Sequence, residues 1–105
     1  MYVVQAHMEY LDASDAETIR HRLLEHATED HYLQHVYVQC EGTRVSAVFF
    51  LLAPDLARAE NAARALCHLD LYPEPASSRG RLLSSTGTFA SSFGPYWPGE
   101  PRTGG

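Results

Sequence analysis

Residues 45–53 read VSAVFFLLA, and this stretch decides the fold because Ser46 is its single polar residue. Its length and its β-branched and aromatic side chains predict a strand, and Gly42 and Pro54 mark turns on either side. A strand that is apolar on both sides must be covered on both faces of its sheet. Two helices can cover one face in a chain this short. We therefore expect the other face to meet a second subunit, the chain's own carboxyl-terminal segment or a ligand.

The chain has the size and composition of one globular domain. It holds 105 residues, of which 45% are hydrophobic, and such a length gives a modest core. The basic set consists of eight arginines against thirteen acidic residues, for a formal net charge of -5. Sequence-independent affinity for nucleic acid comes mainly from clustered positive charge. The charge balance therefore argues against a DNA partner.

Membrane and disulfide signals are weak in this sequence. No segment approaches the roughly 20 apolar residues that a membrane helix needs, so we expect no membrane partner and a cytoplasmic location. Cys40 and Cys67 are the two cysteines. They are too few for a disulfide framework and too far apart for a CxxC site, so we interpret both as reduced thiols.

Six histidines make a metal site worth testing against the sequence. His31 and His35 have HxxxH spacing, which chelates an ion only on one helical turn. His35 lies in a predicted strand instead, where four residues separate side chains by about 13 Å. We therefore predict no metal site and no cofactor within a subunit. A site assembled across a dimer, with Glu9 or Glu41 as a further ligand, is the alternative.

Periodicity divides the chain into six elements. Ser14 followed by Glu17 predicts a capping box at the start of the first helix, and a loop is predicted from Asp70 to Gly80. The predicted elements are, in order, a strand at Tyr2–Tyr10, a helix at about residues 15–29, a strand at Leu33–Glu41, the strand at residues 45–53, a helix after Asp55, and a strand at about residues 81–86.

This order resembles that of the ferredoxin-like split βαβ architecture over roughly residues 2–86. The resemblance implies an α+β fold with an antiparallel sheet, the first and third strands in its centre and both helices on one face. We therefore divide the chain into a ferredoxin-like domain, residues 1–88, and a tail, residues 89–105, that is rich in Gly, Ser and Pro. The tail carries four aromatic residues, which are Phe89, Phe93, Tyr96 and Trp97.

The face away from the helices is the predicted site. Its ligand or interface residues are Gln5, Gln39, Trp97 from the tail, and either Phe49 or Phe50, because the sequence does not choose between the two faces of the third strand. A large aromatic side chain among polar groups is typical both of pockets and of interfaces. The aromatic tail has three alternatives, which are docking on this face of its own subunit, docking on a partner subunit, and no docking at all.

Paired sheets of this kind are similar to those of the dimeric α+β barrel families, which include small monooxygenases, isomerases, cyclases and heme-handling enzymes. The resemblance implies a homodimer and a pocket for a small hydrophobic or aromatic ligand. We predict a non-catalytic accessory, regulatory or ligand-binding module. The alternative is a metal-independent enzyme that transfers protons through His7, His35 or Tyr37. RNA binding is a lesser alternative, since its third-strand signature matches only at Arg44 and Ala47.

Overall fold

The apolar run forms the third strand of a four-stranded sheet. The computed structural model describes residues 1–89, and the fold is α+β. Its elements are β1 (Tyr2–Tyr10), α1 (Ala16–His26), a short 3-10 helix (Glu29–His31), β2 (Leu33–Glu41), β3 (Arg44–Leu51), α2 (Leu56–Leu71) and β4 (Gly80–Phe89). No helix in this part of the chain has the length and apolar character needed to cross a membrane.

The sheet is antiparallel throughout, with the strand order β2-β3-β1-β4. The first and third strands therefore lie in the centre, which confirms that prediction. β2 and β3 form a hairpin whose turn contains Gly42 at a φ of 64°, a left-handed conformation that glycine adopts without a steric cost.

Both helices pack on one face of the sheet, and the hydrophobic core lies between the two layers. Ile19 and Leu23 of α1 and Ala63 and Leu66 of α2 are fully buried there. Each large apolar side chain contributes roughly 1.5–3 kcal/mol when it is fully buried. The sheet contributes alternate residues of its strands, among them Val4, Ala6, Met8, Val36, Ala47, Phe49 and Leu51.

The two phenylalanines of β3 are adjacent in the strand, so their side chains point to opposite faces of the sheet. Phe49 is 0% exposed and belongs to the core under the helices. Phe50 pairs with Val3 of β1 and His35 of β2 and faces the other way. Of the two alternatives that the sequence allowed, Phe50 therefore lies on the face opposite the helices, and Phe49 is a core residue.

Both helices differ from their predicted bounds. The cap of α1 is Asp15, whose carboxylate accepts a hydrogen bond of 2.8 Å from the backbone N–H of Thr18, so the predicted capping box at Ser14 is wrong. The helix ends at His26 rather than at residue 29. α2 continues to Leu71, so Asp70 lies in its last turn and not in a loop.

Strand β4 is longer than predicted, and a glycine makes its start possible. It runs from Gly80 to Phe89 rather than over residues 81–86. A Cβ atom at Gly80 would lie 2.1 Å from the carbonyl oxygen of Glu9 and 2.7 Å from the Cα of Tyr10. Only glycine lets the two backbones approach this closely.

Candidate interaction surface

The face of the sheet opposite the helices, called the open face here, presents side chains in four rows that cross the four strands. Antiparallel pairing sets these rows, because residues directly opposite each other on neighbouring strands point to the same side. In the order β2, β3, β1, β4 the rows are His35, Phe50, Val3, Thr88; Tyr37, Val48, Gln5, Thr86; Gln39, Ser46, His7, Ser84; and Glu41, Arg44, Glu9, Arg81.

The rings of His35, Tyr37 and Phe50 form an aromatic cluster at one end of the open face. The centroids of His35 and Tyr37 are 4.5 Å apart in an edge-on arrangement, and those of Tyr37 and Phe50 are 5.9 Å apart. Tyr37 remains 57% exposed. An exposed aromatic side chain beside a buried one is typical of surfaces that bind a partner, because its apolar area is available at a low cost in entropy.

The middle of the open face is polar. The Nδ1 atom of His7 lies 3.1 Å from the hydroxyl of Ser46, and Ser84 stands on the other side of His7 in the same row. Gln5 and Gln39 are both exposed. The structure therefore places both predicted glutamines on the predicted face.

The fourth row, called the charged row here, alternates in sign across the sheet. The carboxylate of Glu9 accepts hydrogen bonds of 2.5 Å from the hydroxyl of Thr43 and 2.8 Å from the Nε of Arg44. These two hydrogen bonds hold the pKa of Glu9 below its usual value. Glu41 and Arg81 occupy the two outer positions, on the edge strands.

A bulge brings Arg81 into the charged row. The pairing of β1 with β4 shifts by one residue between His7 and Met8, so that Glu9 faces Arg81 and Met8 faces Leu82. With regular pairing from Ser84 onward, Leu82 would lie on the open face and Arg81 would face the helices. One extra residue in a strand reverses the side on which the following side chains lie.

The three residues predicted for proton transfer do not converge. His35 and Tyr37 are in ring contact on the edge strand β2. His35 lies in the same row as Val3 of β1, two strands away. His7 lies four residues further along β1 than Val3. The two histidines are therefore separated by roughly 16 Å. The described residues therefore bring two of these groups together and leave His7 with Ser46.

A buried ionic cluster on the helix side joins β1, α1 and α2, and the sequence interpretation missed it. The Asp70 carboxylate is 0% exposed. It accepts hydrogen bonds from the Nε of Arg22 at 2.7 Å, the Nη2 of Arg22 at 3.1 Å and the hydroxyl of Tyr10 at 2.5 Å. The ring of His26 lies 3.4 Å from the same carboxylate.

The pKa shifts within the cluster indicate that it connects β1, α1 and α2 structurally. Burial favours a higher pKa for Asp70, but the hydrogen bonds from Arg22 and Tyr10 outweigh it and hold the pKa below its usual value. Burial and then the neighbouring carboxylate raise the pKa of Tyr10. In the described part of the chain every buried side-chain N or O atom has a hydrogen-bond partner. The cluster is thus internally satisfied and presents no unpaired group to a substrate.

The described residues line an open concavity and hold no metal cluster. One concavity has a volume of about 830 Å³, but Ser46 of the open face and Cys40 of the helix side both line it, so it is an open surface region. Residues 1–89 contain no group of three or more His, Cys, Asp or Glu side chains that could hold a metal ion. Both cysteines are free, and burial raises the pKa of Cys67 to about 12.

Comparison with protein-family models, with curated proteins and with solved structures finds no match to this chain. The remaining predicted site residue, Trp97, lies outside the described residues.

Proposed function

We propose that this protein is a small non-catalytic accessory or regulatory module that forms a homodimer through its open face, and that its fold is ferredoxin-like. The element order strand, helix, strand, strand, helix, strand and the central position of β1 and β3 support the fold. The placement of both helices on the other face supports the choice of surface, since an exposed aromatic side chain such as that of Tyr37, 57% exposed, is typical of association sites.

The charged row is the observation that carries the proposal, because its order of signs is self-complementary. A two-fold axis parallel to the strands reverses the strand order and keeps each row opposite its own copy. Glu41 then faces Arg81 of the second copy, and Arg44 faces Glu9 of the second copy. Within one chain Glu41 and Arg81 are three strands apart, about 14 Å, and cannot pair. A second copy places an opposite charge across from each of them.

The other rows fit the same axis. Val48 meets Gln5 of the second copy at the centre, and Ser46 meets His7 of the second copy, a hydroxyl opposite an imidazole. Sheets packed face to face keep their strand directions within about 30° and lie about 10 Å apart. The same symmetric patch on both copies is what a two-fold dimer requires.

The size of the open face predicts a weak dimer. Four strands about 4.8 Å apart and about eight residues long give a face of roughly 20 by 27 Å. Two such faces cover roughly 1,100 Å², near the lower limit of about 1,000 Å² for a specific interface. We expect dissociation in the micromolar range or above, and an accessory role in which assembly responds to concentration.

The thiols of the module bear on its cellular compartment, and its aromatic cluster bears on a ligand. Two free cysteines fit a reducing compartment such as the cytosol. A small hydrophobic or aromatic ligand would find its contact at the exposed rings of His35 and Tyr37, which lie beside the buried ring of Phe50. Such a ligand would compete with the second copy.

The test is the dimer dissociation constant of the full chain by sedimentation equilibrium. Arg81→Glu places the new carboxylate opposite Glu41 of the second copy, and the two-fold axis repeats this contact, so the dimer contains two such repulsive pairs. At about 0.7 kcal/mol for each exposed pair, the two contacts together weaken the dimer about tenfold. The matched control is Arg64→Glu, which makes the same change in charge on exposed α2 residue Arg64, on the other side of the molecule. Equal effects of the two variants would overturn the proposed interface.

A second candidate function has one observation in its favour, the 3.1 Å contact between His7 and Ser46. A base within hydrogen-bond reach of a hydroxyl is the arrangement that activates a serine nucleophile. If this protein is an enzyme, we propose that His7 is its base. Reaction of the full chain with a fluorophosphonate probe tests this, with labelling lost in Ser46→Ala and retained in Ser84→Ala. A chain that does not react removes this candidate.

A further inference from the structure

His7 stands in the middle of the open face with one ring nitrogen engaged. Its Nδ1 atom lies 3.1 Å from the hydroxyl of Ser46, and the side chain is exposed. Within residues 1–89 the hydrogen bond of this ring is made through Nδ1 and leaves Nε2 for another partner. When Nδ1–H donates to the Ser46 hydroxyl, Nε2 carries the lone pair. A histidine binds a metal ion in this state, with its other nitrogen held by a neighbouring group.

The proposed dimer brings two copies of this ring together. The two-fold axis runs parallel to the strands between β3 and β1, so His7 lies diagonally across the axis from His7 of the second copy. With strands about 4.8 Å apart and sheets about 10 Å apart, the two Cα atoms are separated by about 11 Å. Each imidazole extends three to four bonds, roughly 4.5 Å, from its Cα. The two Nε2 atoms therefore come within reach of one bridging ion.

Two identical ring nitrogens on either side of a two-fold axis do not complement each other. If both carry lone pairs they repel, and if both carry hydrogens two donors meet without an acceptor. A cation on the axis removes this conflict, because it accepts a lone pair from each copy alike. Zn²⁺ binds histidine nitrogen at about 2.0–2.1 Å with tetrahedral geometry, which places two such nitrogens about 3.3 Å apart. The space between the two rings is of this size.

The neighbouring groups favour zinc over an ion that needs carboxylates. On the same face of β1 the nearest acidic side chain is Glu9, and its carboxylate is already engaged by Thr43 and Arg44. Glu41, the other acidic ligand expected for a site across a dimer, lies on the edge strand and faces Arg81 of the second copy. Calcium and magnesium prefer oxygen ligands, whereas imidazole suits zinc, copper and nickel.

We propose that His7 of the two copies binds one Zn²⁺ on the axis of the open-face dimer, that Ser46 positions the ring, and that zinc thereby strengthens assembly. This zinc site rests on the proposed function, because the second histidine belongs to the second copy. Water takes the other two positions of the tetrahedron, as in zinc sites that keep open positions. The ion binds the dimer better than the monomer, since a monomer offers it a single imidazole.

Sedimentation equilibrium of the full chain at neutral pH tests the site, in EDTA and in increasing ZnCl₂. An ion that binds only the dimer favours it in proportion to its free concentration over the dissociation constant of the site. At about ten times that constant, we expect the dimer dissociation constant to fall about tenfold. Titration calorimetry should show one ion for every two chains. An unchanged dimer dissociation constant leaves the axis to water and overturns the zinc site.

Four variants assign the ligand and its positioning residue. His7→Ala should lose the zinc effect. Exposed His68 of α2 and the partly exposed thiol of Cys40 are the matched controls, so His68→Ala and Cys40→Ser should keep it. Ser46→Ala should weaken zinc binding about tenfold, the usual effect of removing the group that holds a ligating histidine, and Ser46→Thr should restore it. A zinc effect that survives His7→Ala, or that disappears in Cys40→Ser, overturns the proposal.

Failure of the zinc site and failure of the dimer give different results. A chain that associates in EDTA, is weakened by Arg81→Glu and ignores zinc keeps the interface and loses the site. A chain that stays monomeric both in EDTA and in zinc removes the interface, and the zinc site with it. Association that needs zinc but is insensitive to Arg81→Glu uses another surface, which overturns the position of the ion on this axis.

Discussion

Replacing Asp70 with Asn tests the buried ionic cluster that ties α2 to α1 and β1. The carboxylate is 0% exposed and accepts three hydrogen bonds, two from Arg22 and one from Tyr10. Asn keeps one acceptor oxygen but removes the negative charge, and its amide group opposes the guanidinium. Removing one partner of a buried ion pair typically costs about 3–5 kcal/mol. The side chain of Arg22 is 21% exposed and can turn toward water, which places the expected loss near the lower limit.

We therefore expect Asp70→Asn to lower the free energy of unfolding by about 3 kcal/mol at neutral pH. Urea denaturation followed by circular dichroism measures it, and with a slope of about 1.5 kcal/mol per molar the midpoint falls by about 2 M. The double variant Asp70→Leu with Arg22→Met is the control. It removes both charges together and should recover more than half of the loss. A loss below about 0.5 kcal/mol, the size of an ordinary surface effect, refutes the structural role.

The pH dependence of this variant has a fixed sign. The pKa of Asp70 is lower in the folded protein than in the unfolded chain because Arg22 and Tyr10 donate to its charged form. Its stabilising contribution is therefore complete above the unfolded value of about 3.9 and is lost as the pH falls through the folded value. The difference in stability between the parent chain and Asp70→Asn should be constant from pH 8 to about pH 5 and shrink below about pH 4. A difference that widens in acid contradicts the assignment.

Two further predictions concern single positions. Gly80→Ala should cost clearly more stability than Gly42→Ala, because a Cβ at Gly80 collides with backbone while one at Gly42 meets open space and suffers only from its positive φ, about 1 kcal/mol; equal losses in urea denaturation would contradict the close approach of β1 and β4. Cys40, which is partly exposed, should react with a disulfide reagent in the native protein, whereas buried Cys67 should react only on unfolding; comparable native rates would contradict its burial.

The order of elements along the chain could be predicted from the sequence because its signals are local, whereas the central position of β1 and β3 was implied by the ferredoxin-like resemblance. Alternation marks β1 and β2, a short turn at Gly42 joins β2 to β3, and two helical stripes separate the strands. The face of each β3 residue could not be predicted, because period-2 alternation decides a face only where one side is polar. Phe49 and Phe50 are adjacent and equally apolar, so only packing against the helices separates them.

Neither the charged row nor the ionic cluster was predicted from the sequence, and the reasons differ. Arg81 reaches the open face through a bulge in β4, and a bulge has no reliable signature in a run that contains Ser84 and Ser85. Asp70 did carry a signal. It lies four residues after Leu66, on the apolar stripe of α2, where a charged residue indicates a buried partner. The Pro- and Ser-rich sequence that follows instead favoured a loop.

The dimer interface is the central claim, and a charge exchange tests it most directly. Glu41→Arg and Arg81→Glu in one chain reverse both outer charges of the charged row while leaving the composition and net charge unchanged. Sedimentation equilibrium should show each single variant weakened about tenfold and the double variant within about threefold of the parent chain. A double variant as weak as the singles, or weaker, would contradict the pairing of Glu41 with Arg81 of a second copy.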